Sequence, residues 1–287
     1  MLILPVPMAM PDPEVTLAYV QDQKKAGDAG AGDAGTAGAG AGDAGTGSIT
    51  VTGRKPSADD PLEKTNVKVF KATAAVDDAV VAPVASVYKD GVPKPLRNGL
   101  RNFLNNLREP VVALNYLLQH RVGKAAETVA RFGVNSTLGV AGVMDVAKTK
   151  PFKLPPRVNG FADTFAYYGV ASGPYLYLPL IGPTTPRDLT GVVLDKLVLP
   201  FGVGGPFKQI KYTLPLALVD QVDQRVRFDE QIKAVRSSSD PYLARRNLYF
   251  QQRAAEICAV HRPGWEGCQQ KGSGADDKLT TQSGVNP

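Results

Sequence analysis

The sequence predicts an all-α fold. Beyond residue 59, apolar residues recur at spacings of three and four, whereas the alternation of β-branched residues that is typical of strands is almost absent. Proline and glycine separate these helical stretches. A helix that spans a bilayer needs about 20 apolar residues in succession, and the sequence contains no such run. We therefore expect amphipathic helices with Gly/Pro-rich connections.

The 287 residues divide into a low-complexity part, a helical part and a short final part. Residues 1–57 are expected to form a disordered tail, because GDAG recurs at Gly27, Gly32 and Gly42 without an apolar face that could stack. The apolar start of this tail indicates a signal remnant or a misplaced start. Residues 58–260 form the predicted helical domain, and residues 261–287 a flexible tail.

Seven helices are predicted within the helical domain. Two of their starts carry a capping oxygen before a proline in the first helical position, namely Thr185 before Pro186 and Asp240 before Pro241. The predicted helices cover residues 61–73, 94–107, 110–119, 122–132, 186–197, 214–235 and 241–257.

The helix over residues 94–107 is the most strongly amphipathic one. Its apolar residues lie three and four positions apart, and arginine and asparagine fill the other side. Such a stripe suits an ordinary core-facing helix and equally a helix in a membrane interface. The apolar stripe consists of Leu96, Leu100, Phe103, Leu104 and Leu107.

Charge favours an anionic partner. The chain carries 33 Lys and Arg against 27 Asp and Glu, a net charge of +6, and residues 90–157 alone hold 11 basic and 4 acidic residues. A basic, amphipathic and helical region suits anionic lipid headgroups. Nucleic acid is the other anionic candidate, but the sequence has no helix-turn-helix, zinc-finger or RNP motif. We therefore expect no nucleic-acid partner.

Motifs for covalent chemistry are missing. The only histidines, His120 and His261, belong to no metal-ligand pattern, and no G-x-S-x-G elbow occurs. A lipid hydrolase would need Asp163 or Asp188 beside a hydroxyl such as that of Ser172 or Thr164, whereas isolated carboxylates are more often helix caps or ion-pair partners. No enzyme activity, catalytic residue, metal or cofactor is therefore predicted.

Cys258 and Cys268 are the only cysteines. The residues between them include a proline and two glycines, which allow a small disulfide loop. Two reduced thiols near the end of the chain are the alternative.

Residues 163–188 read DTFAYYGVASGPYLYLPLIGPTTPRD, which resembles the signature of the MlaA (VacJ) family of outer-membrane phospholipid-transport lipoproteins. The opening DPLEK with Asn66 and Phe70, and the block around Arg131 and Asn135, are similar to the same family in the same order. The resemblance covers about residues 60–257.

This resemblance implies a ring of helices in the inner leaflet of a Gram-negative outer membrane, around an amphipathic channel. It implies removal of misplaced phospholipid from the outer leaflet, delivery to a periplasmic MlaC-like carrier, and association with trimeric porins. A porin-associated scaffold without a working channel is the alternative. The family carries a lipidated cysteine near its start, and this chain has no cysteine before Cys258. Either the true start lies upstream, or the chain is anchored without a lipid; of the two we expect anchoring by its amphipathic helices.

The resemblance also marks residues for the channel or the family signature. Tyrosines among its Gly/Pro turns, such as Tyr167 and Tyr177, are expected at the boundary between apolar and polar surroundings. The Arg187 side chain is expected to bind either a phosphate or Asp188. The marked residues are Asn66, Phe70, Arg131, Asn135, Tyr168, Gly169, Gly173, Pro174, Tyr175, Pro179, Arg187 and Asp188.

Overall fold

A computed structural model describes residues 60–179, 181–203 and 209–261. The predicted N-terminal tail lies outside the described residues, and of the predicted C-terminal tail only His261 is described. The elements in chain order are α1 Glu63–Val76, a π-helical segment Asp77–Val81, α2 Ala82–Gly91, α3 Lys94–Leu118, α4 Val122–Thr137, a 3-10 turn Val146–Lys148, α5 Phe161–Tyr167, β1 Leu176–Leu178, β2 Gly182–Thr184, α6 Pro186–Val203, α7 Ile210–Arg227, α8 Asp229–Arg236 and α9 Pro241–His261. The all-α prediction is confirmed.

Two predicted helix boundaries are wrong. The predicted helices 94–107 and 110–119 form one continuous helix, α3, with Pro110 in its interior. Proline removes one backbone hydrogen bond, but α3 packs along its length against α4 and α6, which holds both halves in line. Conversely, the predicted helix 214–235 is divided at Phe228, where α7 ends and α8 begins.

Helices α2 and α5 and the β-hairpin were not predicted. The hairpin pairs three residues with three, in the antiparallel register Leu176 with Thr184 and Leu178 with Gly182. Strands this short show no alternation that a sequence pattern could reveal. Both predicted proline caps are present: the Leu243 amide donates to Asp240 Oδ1 at 3.0 Å, and the Asp188 amide to Thr185 Oγ1 at 3.4 Å.

An aromatic core joins α1, the hairpin and α9. It contains four buried tyrosines, with Phe70 packed edge-on against two of them at centroid distances of 5.3 and 5.8 Å. The prediction that Tyr175 and Tyr177 lie at a polar boundary is therefore wrong, since both rings are buried and only Tyr168 of the marked tyrosines is exposed. The four buried tyrosines are Tyr175, Tyr177, Tyr242 and Tyr249.

The fold buries many polar residues and exposes many hydrophobic ones. Among the residues that the structure describes, 21 polar or charged residues are buried against 17 hydrophobic ones, while 20 large hydrophobic residues are exposed. Helix α3 shows the same inversion, because Gly99, Asn106 and Glu109 are buried near its middle while Leu96 is exposed. A second exposed stripe runs from α1 through the π-helical segment into α2 and consists of Val76, Val80, Val84 and Val87. Its spacing of three and four residues places these valines on one side.

Within the described ranges, none of the helices combines the length and the apolar character needed to cross a membrane.

Candidate functional site

A cavity of about 390 Å³ lies among α3, α4, α6 and the end of α7. The loop that follows α4 closes one side with residues 156–159. The wall is amphipathic, with amides and charges beside apolar side chains. The amides belong to Asn102, Asn105, Asn106, Asn135 and Asn159; the charges to Arg108, Glu109, Arg131, Asp145, Lys148, Arg157, Asp195, Lys196 and Arg227; and the apolar groups to Val111, Val112, Pro156, Val158, Leu199 and Phe228.

Arg131 and Asn135 are the two marked residues that line this cavity. The Arg131 guanidinium is buried between Glu109 Oε1 at 2.9 Å and Asp145 Oδ1 at 3.1 Å, and it also donates to the Leu154 carbonyl. Asn135 donates to Asp145 Oδ1 at 3.0 Å and accepts the Ala147 amide at 2.9 Å. Both side chains therefore fasten the loop after α4 to the helices and fix the shape of the wall.

The other arginines of the wall are also paired. Arg108 binds Asp220 at 2.6 Å, and Arg227 binds Asp223 at 3.3 Å, which ties α3 to α7 and α7 to itself. Arg157 binds Glu127. These guanidiniums therefore have most of their charge balanced within the protein.

Lys196 differs from these arginines. It lines the cavity from α6 and makes no ion pair or hydrogen bond with any part of the chain that the structure describes. Burial, with a further contribution from Arg108, lowers the pKa of Lys196 to about 8. Burial likewise raises the pKa of the adjacent Asp195 to about 6, although its carboxylate accepts the Phe161 amide at 3.0 Å. Asp220 and Asp195 act in the opposite direction on the pKa of Lys196, so an anion in the cavity would find an ammonium with carboxylates nearby but no ion pair among the described residues.

Asn66 and Phe70 lie outside the cavity wall and hold the hairpin. The Asn66 amide donates to Asp60 Oδ1 at 2.8 Å and to the Tyr175 carbonyl at 3.1 Å, and its oxygen accepts the Tyr177 amide at 3.0 Å. The last two bonds connect α1 to the backbone at the start of the hairpin. Their role is structural in the described fold.

Arg187 and Asp188 belong to a buried ionic network rather than to the cavity. Arg187 binds Asp188 Oδ1 at 2.9 Å, and Arg253 binds Asp188 Oδ2 at 3.0 Å and Asp163 Oδ1 at 2.9 Å. Burial opposes ionisation of Asp188, but Arg253, Arg187 and the Tyr249 hydroxyl together hold its pKa below the ordinary value. Of the two partners considered for Arg187, the structure has Asp188.

The arrangement that a lipid hydrolase would need is not formed among the described residues. Asp163 and Asp188 both bind Arg253. The Thr164 hydroxyl donates to Asn115 Oδ1 at 2.7 Å and accepts from Gln119 at 2.9 Å. No group of three His, Cys, Asp or Glu residues suited to a metal ion occurs in the described ranges.

The remaining marked residues shape connections. Gly169 and Gly173 have φ of +77° and +75°, a region that favours glycine, on either side of the turn that leads to Pro174 and β1. Pro179 lies in the hairpin turn. Tyr168 is exposed and donates its hydroxyl to the Leu118 carbonyl. None of these residues lines the cavity described above.

Only one cysteine of the predicted disulfide lies among the described residues. Cys258 lies in the last turns of α9, and Cys268 lies outside the described residues. Cys258 is disulfide-bonded, and its pairing with Cys268 stays a prediction.

Sequence patterns did not reveal the residues of the cavity wall. The sequence places Asn102, Asn105 and Asn106 on the polar side of an amphipathic helix. In the fold this polar side lines the cavity, and Lys196 approaches from α6. The density of asparagine on α3 was the one available signal.

Comparison with known proteins gives consistent matches. Residues 58–256 match the family described as MlaA lipoprotein. The intermembrane phospholipid transport system lipoprotein MlaA of Escherichia coli strain K12 is 38% identical over 202 residues, covering 67% of this chain and 76% of that protein. The protein of the same name from Haemophilus influenzae is 36% identical over 197 residues, covering 67% and 77%.

A solved structure also matches. It comes from work on the structural basis for maintenance of bacterial outer membrane lipid asymmetry, and it covers 70% of this chain and 98% of its own chain. The TM-score is 0.61 and the sequence identity 32%.

Proposed function

The chain belongs to the MlaA lipoprotein family, and we propose that it is the outer-membrane component of intermembrane phospholipid transport. In this function it removes misplaced phospholipid from the outer leaflet and so maintains lipid asymmetry. The amphipathic cavity is the passage for the lipid headgroup. This cavity, in which Lys196 lies among amides and apolar side chains and forms no ion pair with the described residues, is the observation that carries the proposal.

A phospholipid needs both kinds of wall. Its phosphate requires cations or hydrogen-bond donors, which Lys196 and the asparagine amides supply. Its glycerol and upper acyl carbons require apolar contact, which Val111 and Leu199 supply. A bound lipid would restore a partner to the Lys196 ammonium, whose burial otherwise disfavours its charged form.

The inverted burial supports a position in a lipid leaflet. In water, 20 exposed large hydrophobic residues would raise the free energy of the folded chain, whereas acyl chains around them would lower it. The stripe from Val76 to Val87 and the exposed end of α3 at Leu96 are surfaces of this kind. We place the protein on the periplasmic side of the outer membrane of a Gram-negative bacterium, anchored by these surfaces.

Transport through the cavity involves no covalent chemistry, so the protein acts without catalysis. We assign it a periplasmic MlaC-like carrier as the recipient of the lipid and trimeric porins as neighbours in the membrane. A porin-associated scaffold is the second candidate function. A scaffold function does not require an open cavity with a lysine that lacks an ion pair among the described residues, so this feature favours transport.

Outer-leaflet phospholipid tests the proposal directly. A Gram-negative strain that lacks its own family member would be complemented with this chain, with Lys196→Met and with Lys89→Met. Lys89 is an exposed residue of α2 outside the cavity wall, so its variant is the matched control.

Transport predicts that the chain and Lys89→Met lower the exposed phospholipid while Lys196→Met does not. If Lys196→Met complements as well as the chain itself, the cavity is not the passage. A parallel set that carries an added lipoprotein signal separates a failure of anchoring from a failure of transport.

A further inference from the structure

Two buried oxygen atoms on the cavity wall lack hydrogen-bond partners. They are Asn106 Oδ1 and Glu109 Oε2, and neither has a donor within the part of the chain that is described. Both residues line the cavity and are only 3% and 5% exposed. Residues three apart on a helix lie side by side, with about 5–6 Å between their Cβ atoms. The two oxygens therefore form a pair of unsatisfied acceptors on one side of α3.

The other polar atoms of these side chains are already engaged. Asn106 Nδ2 donates to Ser136 Oγ at 2.9 Å, which fixes the orientation of the amide. Glu109 Oε1 accepts from Arg131 Nε at 2.9 Å, which fixes the carboxylate. Neither side chain can satisfy its free oxygen without giving up a bond that it makes. Buried acceptors in native proteins are nearly always paired, so a donor from outside the chain is indicated.

The charge of the required donor follows from Glu109. Burial raises the pKa of this carboxyl, and the hydrogen bond from Arg131 offsets only part of that effect. A neutral donor would satisfy the hydrogen bond, but a cationic donor would in addition stabilise the carboxylate. Asn106 and Glu109 lie one turn apart on α3, so a donor that serves both acceptors needs more than one N–H group.

We propose that Asn106 Oδ1 and Glu109 Oε2 bind the primary ammonium of a phosphoethanolamine headgroup while Lys196 binds its phosphate. The proposal rests on the transport function and names its preferred substrate class. Ethanolamine offers three N–H donors and a positive charge. Choline has the same charge but no N–H, and glycerol has neutral hydroxyls and no positive charge. The cavity therefore selects the primary amine.

Native mass spectrometry of the purified full chain measures this selection. The chain in detergent is incubated with phosphatidylethanolamine, phosphatidylcholine and phosphatidylglycerol in equal amounts and with identical acyl chains. The lipid that remains bound after release from the micelle is then counted. We expect phosphatidylethanolamine to exceed phosphatidylcholine about tenfold, which corresponds to about 1.4 kcal/mol.

Variants separate the ammonium site from the phosphate site. Glu109→Gln keeps the shape and removes the charge, so the ratio of ethanolamine to choline lipid should fall towards one. Asn106→Leu should lower the same ratio. It replaces Glu109→Gln as the test of the ammonium site if circular dichroism shows that Glu109→Gln is unfolded. Lys196→Met should lower the binding of all three lipids equally. Asn98→Ala, an exposed residue of α3 outside the wall, should change nothing.

The outcomes are distinguishable. Equal binding of ethanolamine and choline lipids by the chain, or an unchanged ratio in folded Glu109→Gln and Asn106→Leu, overturns the ammonium site and leaves transport intact. A preference for phosphatidylglycerol overturns it as well, since the wall would then select net negative charge. Binding of no lipid at all contradicts the transport function itself.

Discussion

Asp188→Asn tests whether the buried ionic network stabilises the fold. Asp188 is fully buried, and its carboxylate contacts Arg187 at 2.9 Å, Arg253 at 3.0 Å and the Tyr249 hydroxyl at 2.7 Å. These partners connect the start of α6 to α9, and Arg187 also donates to the Val170 carbonyl in the segment before α6. Asparagine keeps the shape of the side chain but removes the negative charge that both guanidiniums share.

The expected loss of stability depends on which ion pairs the two arginines keep in the variant. Removing one partner from a buried ion pair costs about 3–5 kcal/mol. Arg253 retains Asp163 at 2.9 Å and also Glu256, so only Arg187 loses its one carboxylate, and the lower end of the range applies. For a domain of this size, each kcal/mol shifts the midpoint of thermal unfolding by about 2–4 °C. We therefore expect Asp188→Asn to lower that midpoint by about 6–12 °C.

Thermal unfolding in detergent, followed by near-UV circular dichroism, measures the shift. Asp78→Asn is the matched control, because Asp78 is exposed and its partner Arg236 keeps Asp77 at 2.8 Å. An exposed ion pair contributes about 1 kcal/mol or less, so the control should stay within about 4 °C of the unmodified chain. If the unfolding midpoint of Asp188→Asn also stays within about 4 °C of that of the unmodified chain, the stabilising role assigned to the network is refuted.

Three further changes test other parts of the fold. Burial raises the pKa of Glu256 to about 7. A carboxyl whose pKa is higher in the folded than in the unfolded chain stabilises the folded state at low pH, and this stabilisation is lost as pH rises through 7. Unfolding scans at pH 6 and 8 should therefore show a smaller loss of stability in Glu256→Gln than in the unmodified chain. Asn66→Ala removes three bonds to buried groups and should increase hydrogen exchange at the Tyr177 amide at least tenfold, with an unchanged rate pointing to another support for β1. Gly191→Leu should prevent stable folding, because even a Cβ there would lie 2.2 Å from the Ala162 nitrogen; recovery of soluble, helical protein by circular dichroism would contradict the close contact of α5 and α6.

The helical pattern was sufficient to predict the fold class but not the packing. Periodicity locates most of α3, but it predicts two helices, 94–107 and 110–119, because a local rule predicts a break before Pro110. Contacts with α4 and α6 decide the outcome instead, and these are distant in sequence. The hairpin beside Tyr175 depends in the same way on Asn66, which lies 109 residues earlier and cannot be paired with it by pattern alone.

The candidate site escaped prediction for a different reason. A sequence pattern separates the two sides of α3 but does not say which side faces inward, and the usual expectation places the apolar side in the core. Here Asn106 and Glu109 are buried and Leu96 is exposed. The resemblance to the MlaA family implied an amphipathic channel and marked Arg131 and Asn135, both of which line the cavity. It did not supply Lys196.

The contrast between two polar regions indicates where a ligand belongs. Around Asp188 and Arg253, buried charges are held by opposite charges from the chain itself, which makes this region a rigid support. In the cavity wall, Lys196 makes no ion pair or hydrogen bond with the described residues, and Glu109 Oε2 has no donor among them. A buried cation that makes no direct ion pair and a buried acceptor without a donor raise the free energy of the empty protein. The proposed zwitterionic headgroup lowers the free energy at both groups in a single binding event.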